Sequence, residues 1–179
     1  MRIALLLCLS AVAWAQAPLK TAAVVNPPPE RPNAMRQAVA GVEKRLDDKI
    51  ASTGGADPVY VLGLTRGLYL QGFGAVFTAE LDLVQTPRPS PFQKEIPKEV
   101  AVKVHTRKIQ NLALLKKGMH DMWVDAASTL TSVPDTEEVV LAVRLFYQLW
   151  EDTTGLPTEI ILKGQRKAAV NGNIQVEEQ

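Results

Sequence analysis

Two pairs of carboxylates are the residues of this chain best suited to chemistry. Glu80 and Asp82 lie in an alternating run, Thr78-Ala79-Glu80-Leu81-Asp82-Leu83, and Glu151-Asp152 directly follows Trp150. On a strand, residues two apart share a face, which sets Glu80 and Asp82 roughly 7 Å apart. Paired carboxylates beside an aromatic wall can divide general acid and general base work, as in glycoside cleavage, or bind a cation. The solvated face of an antiparallel sheet carries the same pattern, so both readings stand at this point.

Other chemistries find less support. The glycines of Gly72-Phe73-Gly74-Ala75-Val76-Phe77 invite comparison with a phosphate-binding turn, but Phe77 occupies the third glycine position and the residues beyond it alternate as a strand. There is no G-K-[ST] either, so these glycines are expected to turn a hairpin. His105 and His120 are the only histidines. On one helix they would stand about 22 Å apart, too far to share a metal, and neither has a second ligand at suitable spacing. Ser52, Ser90, Ser128 and Ser132 carry no G-x-S-x-G signature. No metal and no cofactor is expected.

Charge is balanced overall, with 20 Lys and Arg against 19 Asp and Glu, but it is segregated along the chain. Between Lys94 and His120 seven basic residues face two acids; between Asp121 and Ile160 eight acids face Arg144. Lys103, Arg107, Lys108, Lys116 and Lys117 therefore form a candidate binding set for an anionic partner. Packing of the basic segment on the acidic one, or a solvated helix face, gives the same pattern. The near-zero net charge gives no reason to expect nucleic acid or anionic lipid.

The first residues, MRIALLLCLSAVAWAQA, read as a secretory signal over 1–15, with small residues at Ala13 and Ala15 and a mature start at Gln16. The apolar run is too short to span a bilayer, and no later segment provides a span. Cys8, the one cysteine, leaves with that signal, so the mature chain has neither disulfide nor thiolate. A periplasmic or extracellular destination follows. Residues 16–32 are rich in Ala, Val and Pro and read as an extended linker.

The elements that must position the carboxylates come next, in a single domain over 33–171. Met35, Val39, Val42, Leu46 and Ile50 make one apolar helical stripe, opened by Asn33 and stopped at Gly54-Gly55. The period then changes to two, giving a hairpin across Gly72-Phe73-Gly74 and a further strand within 59–64. Residues 85–97 hold four prolines and read as a crossing loop. A long helix from about Pro97 to Leu130 buries Ile109, Leu112, Leu115, Met119, Met122, Ala126 and Leu130. Residues 138–150 are compatible with helix or strand; their valines and aromatics favour a strand that forms a hairpin with Thr158-Glu159-Ile160-Ile161-Leu162-Lys163. A short helix follows Gly164, and 172–179 is expected to fray.

The grouping predicts an α+β fold: an antiparallel sheet of about five strands in two hairpin-rich blocks, with two main helices on one face. Through GFGAVFTAELDLV and LFYQLWEDTTGLP the chain resembles a group of secreted bacterial proteins that pair a G-[FY]-G-A-V-F hairpin with a later strand and a tryptophan-acid loop. The resemblance spans residues 57 to 163 and implies the strand assignments; the group has no assigned activity and carries over no site residue. The functional expectation is an exported, non-enzymatic binding or assembly module whose partner is another envelope protein. The alternative is a periplasmic hydrolase using Glu80 and Asp82, or Glu151 and Asp152.

Overall fold

The computed structural model describes residues 31–54, 58–86, 95–171, 173 and 175–179. The proposed export signal, the linker as far as residue 30, and residues 87–94 of the crossing loop lie outside the described residues. Helix α1 spans Arg31–Ala51, so residues 31 and 32, assigned to the linker, belong to its first turn. A proline there costs no hydrogen bond, because the first N–H groups of a helix have no partner within it. Val39, Val42, Leu46 and Ile50 are buried as their spacing requires.

The chain continues through β1 (Tyr60–Val61), β2 (Arg66–Leu70) and β3 (Gly74–Asp82), then α2 (Lys98–Thr129), β4 (Glu138–Leu145), β5 (Glu159–Gln165), α3 (Arg166–Val170) and β6 (Gln175–Glu178). The strands form one six-stranded sheet in the order β1-β3-β4-β5-β6, with β2 also on β3. Among the described residues, three helices and a mostly antiparallel sheet confirm the α+β class, with two differences from expectation.

First, the two hairpin-rich blocks of the expected antiparallel sheet are joined by a parallel pair. β3 and β4 pair in parallel from Gly74↔Glu138 to Leu81↔Leu145, which fuses the blocks into one sheet. A parallel pair needs a long crossover, and α2 supplies it. Second, the tail expected to fray forms the sixth strand: β6 pairs antiparallel with β5, from Ile160↔Glu178 to Lys163↔Gln175. Backbone contacts hold it there, since the Thr158 and Glu159 N–H groups donate to the Gln179 carbonyl at 2.6 and 3.2 Å. Lys116 adds an ion pair with Glu178 at 2.7 Å.

Ala75, Phe77, Ala79 and Leu81 of β3 share one core with Val139, Leu141, Val143 and Leu145 of β4, Ile160 and Leu162 of β5, and the apolar stripes of α1 and α2. Burying each large aliphatic side chain here contributes about 1.5–3 kcal/mol. The expected α2 stripe holds except at Ile109, which is 39% exposed, while Trp123 is fully buried. The Trp123 indole N–H donates to the Val139 carbonyl at 2.9 Å. A Cβ on Gly164 would stand only 3.1 Å from that indole, so the glycine makes room for the ring.

The Gly72-Phe73-Gly74 stretch is a turn, as expected. Phe73 N–H donates to the Leu70 carbonyl at 3.0 Å, and Gly72 has the positive φ, 82°, that such a turn needs at this position. Gly74 has φ 137° and lies against β4: an added Cβ would fall 1.9 Å from the Glu138 carbonyl oxygen.

The α1 helix also closes an edge of the sheet. Glu43 and Asp47, one helical turn apart, accept from the backbone N–H groups of Gly67 and Thr65 at 2.6 and 2.8 Å. Those donors would otherwise face an incoming strand.

Candidate functional site

At 32 residues α2 is about 48 Å long, whereas the nine residues of β3 span about 30 Å. The N-terminal half of α2 therefore extends past the sheet at the end where β3 and β4 finish. Two segments leave the sheet there. The first follows Asp82; the second, 146–158, connects β4 to β5. Between them they surround Lys108.

Lys108 is fully buried. Its ammonium lies 2.7 Å from Asp82 Oδ1 and 2.5 Å from Glu151 Oε2. It also donates to the Phe146 carbonyl at 3.4 Å and stands 4.9 Å from the centre of the Tyr147 ring. The Asp82 and Glu151 side chains are 7% and 2% exposed, so the three charges form one desolvated cluster. A lone ammonium in such a place would cost several kcal/mol, and two carboxylates compensate it. Tyr147 donates its phenolic hydrogen to the Pro157 carbonyl at 2.6 Å. Burial, then the charges of Glu151 and Asp82, push its pKa well above that of a free phenol.

The sequence candidates are thus divided. Glu80 and Asp82 do not act as a pair: Glu80 is exposed and faces Arg144 at 3.6 Å, with both side chains mostly in water. Glu151 and Asp152 separate as well. Asp152 is exposed, and its Oδ1 accepts from the Thr154 N–H at 2.9 Å. Hydrogen bonds from Thr154 hold its carboxyl below the usual range, and nearby His105 adds to the effect. The Asp152 carbonyl accepts from His105 Nδ1 at 2.9 Å, which fixes that tautomer. The structure therefore brings together one carboxylate from each expected pair, through a lysine.

The basic set does not form a surface patch. Lys108 is buried and Lys116 is bound to Glu178, while Lys103 and Lys117 are exposed and Arg107 is half-buried. His120 is exposed beside Asp121. Among the described residues no group of three or more His, Cys, Asp or Glu side chains could hold a metal ion, and no helix is long and apolar enough to cross a membrane.

Beside the triad lies a cavity of about 220 Å³, lined by Tyr60, Leu62, Asp82, Gln85, Thr86, Phe146 and Gln148. It is built from the ends of the two parallel strands and the residues that follow them, together with the β1 edge. Tyr60, Leu62 and Phe146 are 47%, 40% and 45% exposed at its rim. Thr86 Oγ1 is buried in its wall without a hydrogen-bond partner among the described residues. None of the rim residues is chemically reactive, so the sequence marks the rim only by the apolar and aromatic residues at β1 and just after β4.

No family model, curated protein or solved structure matches the chain.

Proposed function

We propose that this chain is an exported, non-catalytic binding module that holds another envelope protein at the cavity beyond β3 and β4. The observation that carries this reading is the apolar rim: Tyr60, Leu62 and Phe146 stand large and exposed around a concave surface with polar groups at its base. Clusters of this kind, aromatic and aliphatic at the edge of a pocket, are the composition of protein interfaces. Leu64 and Leu149, near the rim residues in the chain, are also exposed.

The hydrolytic alternative has less behind it. General acid and base work needs two carboxylates that converge on substrate with different proton affinities. Here Glu80 and Asp152 lie in water, and Asp82 and Glu151 share one ammonium. The triad instead fixes the 146–151 segment against α2, which gives the rim a rigid base.

Site-specific photo-crosslinking in cells tests the reading. A benzoylphenylalanine placed at Leu62 or at Phe146 is expected to capture one discrete protein, and the same probe at His120, exposed on α2, is expected to capture none. Equal capture at all three positions, or none at Leu62 and Phe146, would overturn it.

A further inference from the structure

We propose that the cavity beside the triad receives a cationic side chain, a lysine or arginine, from the bound partner; this rests on the binding role argued above. The cluster at its base holds two carboxylates against one ammonium, and Asp82 is the member that lines the cavity. Two buried negative charges against one positive leave a net negative field that low dielectric screens poorly. Among the described residues no lysine or arginine lines the cavity. An anionic ligand would meet that field without compensation.

The rest of the wall suits the same chemistry. Tyr60 and Phe146 bring aromatic rings to the rim, and a cation over the face of such a ring is attracted by its quadrupole. Gln85 and Gln148 bring amide carbonyls able to accept from an ammonium. The buried Thr86 hydroxyl has no partner among the described residues, and a purely apolar ligand would offer it none. The aliphatic stem of a lysine would lie along Leu62 and the rings while its head reaches the polar base.

The test uses the whole chain and three small probes: the N-acetyl methylamides of lysine, norleucine and glutamate, titrated while amide resonances are followed by NMR. The lysine probe is expected to give saturable shifts at Leu62, Asp82, Thr86 and Gln148. Norleucine, which keeps the stem and lacks the charge, is expected to bind at least about tenfold more weakly, and glutamate not at all. Thr86→Val is expected to weaken the lysine probe by about tenfold at an unchanged urea midpoint. Should that variant fail to fold, Gln148→Leu serves with the same expectation.

Norleucine binding as well as lysine, or no saturable shift with lysine, would overturn the inference. The two proposals fail separately. Photo-capture at Leu62 and Phe146 without lysine binding would refute the cationic occupant alone. Lysine binding without photo-capture would refute the protein partner and point to a free alkylamine in its place.

Discussion

At the scale of single residues the triad dominates. Lys108 occupies a position that the stripe Val104, Leu112, Leu115, Met119 assigns to the core, four residues before Leu112. A lysine within such a stripe requires buried partners, and this spacing was the signal in the sequence for the ion cluster. That signal is weak by itself, because a charge on a helix is more often solvated and because Asp82 and Glu151 are far from Lys108 in the chain. Lys108→Met is expected to destabilise the protein by about 3–5 kcal/mol, since it leaves two buried carboxylates uncompensated. Adding Asp82→Asn and Glu151→Gln should recover part of that loss in a urea titration.

Tyr147 gives the cluster a pH signature. Its folded pKa is raised above the free value of about 10, so below that pH both folded and unfolded chains keep the proton. Above it the unfolded chain releases its proton first, and stability falls as pH rises. Tyr147→Phe removes this fall. The urea midpoints of wild type and Tyr147→Phe are therefore expected to converge between about pH 9 and 11, from a gap near neutrality set by the lost bond to Pro157.

At the scale of elements, periodicity carried the helices and the alternating strands. The α1 stripe, the β2–β3 turn and the extent of α2 all follow from local spacing. The parallel pairing of β3 with β4 does not, because register between distant strands is set by the packed whole. β4 is buried on both sides along much of its length, with Val139, Val140, Leu141 and Val143 all in the interior. A strand of that kind has no polar alternation, and for this reason residues 138–150 admitted helix as well as strand. The fate of the tail was equally illegible: Gln175–Glu178 is wholly exposed, so no apolar pattern announces β6. Its place depends on backbone groups of Thr158 and Glu159.

The same pairing explains the glycine pair. Gly72 serves the turn, whereas Gly74 serves the approach of β4 to β3. Gly74→Ala meets both a positive φ and the Glu138 backbone, and is expected to cost at least about 2 kcal/mol. Gly72→Ala meets only the φ penalty, with open space around its Cβ, and should cost about 1 kcal/mol. Thermal denaturation of the two variants side by side checks the order.

At the scale of the molecule, the segregated charge of the chain has one structural use. The basic and acidic segments meet where Lys108 binds Glu151 and where His105 donates to Asp152, so α2 and the β4–β5 connection clasp each other beyond the sheet. That clasp sets the cavity at the ends of the parallel strands and holds Phe146 on its rim. Of the four carboxylates singled out in the sequence, Asp82 lines that cavity and Glu151 joins it on Lys108.

The central claim is that the rim of this cavity binds a partner protein. Its most direct test is the Leu62→Asp/Phe146→Asp variant, with a photo-crosslinker at Tyr60 and the urea midpoint measured alongside. Partner capture is expected to be lost while the unfolding free energy from the urea titration stays within about 0.5 kcal/mol of the parent, because both side chains are exposed. Undiminished capture in a folded double variant would contradict it.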